Sequence, residues 1–315
     1  MKAVPTESAP ELDAERAGVR TQLSNRYAGW RRRVMRVPMM DKIVVALVIL
    51  LLLVAVFGPY FAPASATTSD IGHSLRPPSG AHWLGTDDQG RDVLWRVILG
   101  ARISVLSAIA IVIGQALIAI VIASLATIGG RAVDSALMGL CDIGLAVPPM
   151  IAAIGLADVL GASLRSGIIA MIFVGWTIAA RLLRLIMRQT MEMPYVKSAV
   201  VLGASKYRLM VRHVLPNAID NLLVKWSVEV GTTIVVLASL SYIGVGAQPP
   251  SPEWGAMIAN SQSYVSTAWW SVLAPGVAII ITAVAFGLLG EVVQGRLDGR
   301  IERSRSKLAA DAATV

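Results

Sequence analysis

The chain has 315 residues, 55% of them apolar and only 15% charged, whereas an ordinary soluble domain carries about 25% charged residues. The single cysteine, Cys141, rules out an internal disulfide framework and any multi-cysteine zinc or iron–sulfur site. A net charge of +8 would suggest nucleic acid in a soluble protein, but here the cations are sorted by position along an apolar chain, and no nucleic-acid partner is expected.

Residues 1–41 are polar and charged and read as a weakly ordered tail. Its Arg31-Arg32-Arg33 and Arg36 are a topology anchor that also suits contact with anionic membrane lipid. The apolar residues then fall into blocks: Ile43–Phe57, Ile103–Ile128, Ala136–Leu160, Ile168–Ile186, Leu222–Val245 and Val272–Leu289. Each approaches or exceeds the roughly 20 residues that cross a bilayer as a helix. The pattern predicts an all-α integral membrane protein with six transmembrane helices over residues 42–292 and a basic tail over 293–315. With the N-terminus inside, about 22 Lys and Arg fall on the inner side, counting Arg181 and Arg184 at the inner end of their block, and about 5 outside, the asymmetry of the positive-inside rule. Both termini are therefore expected in the cytoplasm.

The connections follow from that topology. Residues 58–100, broken by Pro59, Pro63, Pro77 and Pro78, are expected outside. Gly129-Gly130-Arg131 is a short inner turn and Gly161–Gly167 a short outer one. Gly246–Trp270 contains no Lys or Arg and suits an outer loop, with Trp254, Tyr264, Trp269 and Trp270 placed for the membrane interface. No internal repeat is found, which weighs against a secondary transporter built from inverted halves.

The long inner loop from Arg188 to about Ile219 is the most informative stretch. Pro194 opens a short helix, since a missing N–H costs nothing in a first turn. Tyr195, Val196, Ala199, Val200 and Leu202 give that helix an apolar stripe. Gly203 interrupts it, because glycine alone accepts a sharp turn without steric cost. A second helix, from Ser205 to about Val214, carries Lys206, Arg208 and Arg212, and Pro216 is expected to end it. Such an elbow can press into a groove on a soluble partner as a rigid lever. The competing reading is an amphipathic helix lying on the membrane surface.

Other segments carry less chemistry. Asp87-Asp88-Gln89-Gly90 favours a turn; a calcium loop fails because the twelfth position from Asp87 is Ile98, where a bidentate Glu is needed. Lys225 and Glu229 stand i,i+4 within the fifth block. They are candidates for the substrate path or, more simply, for mutual neutralisation. Asp142 and Asp158 are weaker candidates, with burial of Asp142 against a neighbouring helix as its bland reading. His73, His82 and His213 lie too far apart in the topology for a metal site. No G-x-x-x-x-G-K-[ST] phosphate loop is present, so neither ATP binding nor enzymatic activity is expected of this chain.

The spacing Ser198-Ala199, Gly203 and His213-Val214-Leu215-Pro216 resembles the coupling loop, the EAA loop, of binding-protein-dependent ABC transporter permeases. His82–Asp92 with Gly100–Ser104, Gly244–Gly255, and Leu289-Gly290-Glu291 with Leu297-Asp298 resemble the C-type subunit of dipeptide and oligopeptide importers. The resemblance implies the type I ABC importer permease fold and a place in a bacterial inner membrane. It implies a coupling set of Tyr195, Lys197, Ser198, Ala199, Gly203, Ala204, Arg212, His213, Leu215 and Pro216. It also implies partners: a homologous B-type permease subunit, two ABC ATPase subunits that bind ATP and Mg, and an extracytoplasmic solute-binding protein. The chain departs from the family at the loop's first letters, where Lys197-Ser198-Ala199 replaces Glu-Ala-Ala. It departs again at Val235–Ser239, where relatives usually carry a Glu. Peptides are the first solute class implied, then glutathione, with nickel further off.

Overall fold

The computed structural model describes residues 38–313; the tail read over residues 1–41 lies outside the described residues up to position 37. Among the described residues the chain is built from helices, with one isolated bridge between Thr86 and Asp92. Helix α1 (Met39–Phe57) runs into a 3-10 turn, Gly58–Phe61, so that the span extends over 23 residues to Phe61. The carboxylate of Asp92 caps α2 (Val93–Ile128) by accepting from the Trp95 N–H at 3.1 Å. One face of α2 is lined with buried small residues, among them Ala101, Ser104, Ala108, Ala116, Ala119 and Ala123, and small side chains let helix backbones approach closely where lipid gives no hydrophobic drive.

The block expected as one span, Ala136–Leu160, is two helices. Helix α3 (Gly130–Ala146) and helix α4 (Pro149–Val159) meet at 88°. The cause is in the sequence: Pro148 and Pro149 remove N–H donors and force the preceding residues out of the helical region, and Val147 and Pro148 are extended at ψ 132° and 125°. Apolarity alone could not reveal the break. Among the described residues five helices are long and apolar enough to cross a membrane, or six if the bent pair counts as one span.

Helix α5 (Leu164–Met191) packs along α2 through Ile111, Ala119, Ala170, Met171, Trp176 and Ala180. After the loop come α6 (Pro194–Val201), α7 (Lys206–Leu209), α8 (Leu215–Ile243) and α9 (Trp254–Ser261). Helix α10 (Trp270–Ala313) lies along α8 through Val230, Ile234, Ile279, Ala285 and Phe286. It continues unbroken past residue 292, so the change from span to tail occurs inside one helix.

Candidate functional site

The elbow forms between α5 and α8. Pro194 occupies the first turn of α6, and α6 ends in a paired backbone lock. The Gly203 N–H donates to the Val200 carbonyl (2.9 Å) and the Ala204 N–H to the Ala199 carbonyl (3.0 Å). These are the two bonds of a Schellman ending, which requires a left-handed residue; Gly203 supplies it at φ +81°. Ser205 caps α7 by accepting from the Arg208 N–H at 3.3 Å.

The second arm does not stop at Pro216. A wide turn of i→i+5 type, Met210–Val214, joins α7 directly to α8, and Pro216 lies in the first turn of α8. A proline there needs no N–H partner, and the wider turn before it gives the ring room. The consequence is mechanical: the second arm of the elbow and the fifth apolar block are one continuous helical rod. The rod's inner face, Met210, Val214, Ala218 and Leu222, packs against Ala123 of α2 and Leu183 and Met187 of α5.

A polar bridge closes the elbow. The Asn217 amide donates to the Tyr195 hydroxyl (2.8 Å) and to the His213 carbonyl (2.6 Å), and the Tyr195 and His213 rings lie 6.4 Å apart. Of the residues singled out from sequence, Tyr195 and His213 thus meet. Asn217 joins them, and only its place at the end of the motif hinted at this. The Ser198 hydroxyl donates back to the Pro194 carbonyl at 3.0 Å. Lys197, standing where the family has its acidic letter, reaches the Glu192 carboxylate at 2.7 Å and holds that carboxyl below its usual range. Ala199, Ala204 and Leu215 are half-buried, and Arg212 and Pro216 are exposed.

What the elbow leaves uncovered is apolar. Val196 is fully buried and anchors α6, but Val201 is 87% exposed, Leu202 86% and Tyr207 73%. Lys206, Arg208 and Arg212 are exposed on the same insert. An apolar tip rimmed by cations marks an interaction surface rather than a finished one.

The other candidates lie apart. The Lys225 ammonium and Glu229 carboxylate are 4.0 Å from each other and partly exposed on α8. Asp142 is not buried; it is exposed and paired with Arg181. Asp158 is exposed as well. Among the described residues no group of three or more His, Cys, Asp and Glu is arranged to hold a metal ion.

At the opposite end of the helices the two remaining motif segments interlock. Gly90 closes its turn on the Asp87 carbonyl (3.0 Å), and Asp87 accepts from Arg91 (2.7 Å) with Arg96 3.4 Å away. His82 contacts the helix-capping Asp92 at 2.9 Å. The Trp254 indole N–H donates to the Val97 carbonyl and the Trp270 indole N–H to the Thr86 carbonyl. Trp254 and Trp270, read as interfacial rings, are instead buried, at 2% and 6% exposure; each bends inward because its N–H finds a backbone acceptor there. Tyr264 and Trp269 remain exposed.

The fold is shared with a chain of the MetNI methionine ABC transporter in an inward-facing conformation, which superposes with a TM-score of 0.53 at 15% identity, covering 64% of this chain and 96% of that one. Residues 115–303 match the family model described as binding-protein-dependent transport system inner membrane component. The chain is 36% identical to the probable D,D-dipeptide transport system permease protein DdpC of Escherichia coli K12, over 91% of this chain and 97% of that protein. It is 33% identical to the oligopeptide transport system permease protein OppC of Bacillus subtilis 168, over 92% and 94%. A third relative, the glutathione transport system permease protein GsiD of Pectobacterium atrosepticum, is 34% identical over 81% and 85%. The chain therefore belongs to the binding-protein-dependent transport system inner membrane component family. It is a multi-pass membrane permease, a transport component and not itself an enzyme.

Proposed function

We propose that this chain is the C-type permease subunit of an importer that carries di- and oligopeptides across a bacterial inner membrane, with both termini in the cytoplasm. The observation that carries the reading is the elbow: a glycine-locked pair of helical arms, presenting an uncovered apolar tip, with its second arm fused to a spanning helix. The names of two relatives, a D,D-dipeptide and an oligopeptide permease, support the solute class.

In this reading the tip of the elbow, Val201, Leu202 and Tyr207, docks in a groove of an ATPase subunit. ATP and Mg belong to two such subunits. A homologous B-type permease completes the pore, and an extracytoplasmic protein delivers the solute. Closure of the ATPases pushes the elbow, and because Met210–Ile243 is one rod, the push tilts the fifth apolar block directly. Lys225 and Glu229, on that rod, line the solute path. The interlocked end faces outward and the lipid bilayer surrounds the spans.

The test is uptake of labelled di- and oligopeptides by cells lacking the gene, complemented with wild type or Gly203→Val. A β-branched residue at φ +81° costs about 1–2 kcal/mol, enough to break the lock while leaving the spans intact. Restoration by wild type only, with equal membrane levels of both proteins, is the expected result. Uptake restored equally by the variant sinks the lever; unchanged peptide uptake in the deletion strain, with glutathione uptake lost, moves the solute.

A further inference from the structure

Helix α3 is held by little apolar packing: of its residues only Asp134 and Cys141 are buried. Asp134 meets two cations of α5. Arg184 grips it with both Nε and Nη2, and the Arg188 guanidinium donates to the same carboxylate at 2.6 Å. One step along, Cys141 is fully buried against Trp176, Ala179 and Ala180. Beside it Asp142 pairs with Arg181. Further on, Gly144 lies so close to α5 that an added Cβ would stand 2.7 Å from the Thr177 methyl. Arg181, Arg184 and Arg188 recur at i, i+3 and i+7, on one face of α5, and the two acids of α3 match that face.

Cations inside a spanning helix are costly unless paired, and a bidentate guanidinium–carboxylate pair fixes orientation as well as charge. The clamp sits near the end of α5 that feeds the elbow. Met191 ends α5, and the Val196 and Lys197 N–H groups bond back to the Met193 carbonyl across the junction. Beyond Ala146 the chain breaks at Val147-Pro148 into α4.

We propose that Asp134 is a positioning residue for transport coupling. With Arg184 and Arg188 it makes α3 and α5 one rigid body, so that motion of the elbow reaches the broken span and the bend at Val147-Pro148 takes up the change of angle. This rests on the coupling role given above to the elbow, and its first readout is independent of that role. Cys141, the one cysteine of the chain, lies beneath the clamp and reports its opening.

The experiment measures the rate of maleimide labelling of Cys141 in membranes containing the full-length chain and the transporter it is expressed with. Wild-type Cys141 labels slowly. Asp134→Asn and Arg184→Gln are each expected to raise the rate about tenfold or more, the change that roughly 1.4 kcal/mol makes in a closed–open equilibrium. The reversed pair, Asp134→Arg with Arg184→Asp, made together with Arg188→Gln so that no second cation faces the introduced guanidinium, is expected to restore slow labelling, which separates loss of the clamp from misfolding. Solute moved per ATP hydrolysed should fall in the single variants and recover in the reversed pair. Unchanged labelling in the single variants, or no recovery in the reversed pair, overturns the clamp. Altered labelling with an unchanged coupling ratio overturns the transmission role. If the wild-type transporter moves no peptide, the proposed solute fails, while the labelling result still decides the clamp.

Discussion

The two ends of the molecule carry sequence motifs of similar length, yet they use them in opposite ways. At the interlocked end the groups at the centre of the motifs are consumed internally, while Trp83, Tyr264 and Trp269 stay exposed at its edge. Glu253 is fully buried, Trp254 is 2% exposed, and Asp87 pairs with both Arg91 and Arg96 within the fold, with Asp88 3.9 Å from Arg91. At the elbow the polar groups close a rigid frame, while Val201, Leu202 and Tyr207 face outward with nothing covering them. A motif therefore does not by itself mark a surface. The difference is in where the motif's central side chains go: at the interlocked end Glu253, Trp254 and Trp270 turn inward to intramolecular partners, whereas at the elbow Val201, Leu202 and Tyr207 are left over at the very tip.

The largest effect that would break this comparison is expected at Trp254. Trp254→Ala removes a buried ring together with the bond to the Val97 carbonyl, and large-to-small changes of this kind cost about 3–5 kcal/mol. The detergent-solubilised protein should melt well below wild type. Leu202→Ala, removing an exposed side chain, should stay within about 0.5 kcal/mol of wild type while weakening association with the ATPase subunit. Equal melting temperatures for the two variants would erase the distinction between the ends.

Glu253 sharpens it next. Its carboxylate caps α9 by accepting from the Ala256 N–H (2.9 Å), and it accepts from the Ser104 hydroxyl (3.2 Å), which in turn receives the Trp254 N–H. Burial raises its pKa, against the lowering effect of those hydrogen bonds. A carboxyl raised on folding contributes stability that is complete below the ordinary carboxylate pKa and is lost as pH rises through the higher folded value. Glu253→Gln should remove that loss and flatten the melting temperature toward alkaline pH. Glu253→Ala, which deletes the cap, should cost about 1–2 kcal/mol at every pH. A variant Gln protein with the wild-type pH slope would show that the buried carboxyl is not its source.

The spans and the first arm of the elbow were legible in the sequence because each rests on local chemistry. Apolar runs of sufficient length, Pro194 at a helix start and Gly203 at a left-handed ending all act within a few residues. The break at Pro148-Pro149 was equally local, but an apolar count overlooks it. Three features were not legible, and all are meetings of distant residues. The fusion of the second arm to α8 depends on the turn at Met210–Val214 seating on α2 and α5. The inward turn of Trp254 depends on a carbonyl at residue 97, 157 positions away in the chain. The Asp134 clamp joins residues 50 and 54 apart, and no spacing rule connects them.

The smallest effect expected concerns the altered first letter of the elbow. Lys197 and Glu192 are both exposed, and exposed pairs are weak and screened by salt, so neither should matter much for folding. The pairing nonetheless sets the junction between α5 and α6. Glu192 is depressed chiefly by its hydrogen bond to Lys197, so the attraction is present above the ordinary carboxylate pKa and fades only as pH falls through the lower folded value. Lys197→Glu, which restores the family's letter, places a second carboxylate against Glu192 and should lower uptake per ATP about twofold. The loss should deepen at low ionic strength and disappear when Glu192→Lys is added. A deficit that the double variant does not repair would mean that the lysine contacts the ATPase subunit itself, which would move the cationic rim of the elbow from its frame to its docking face.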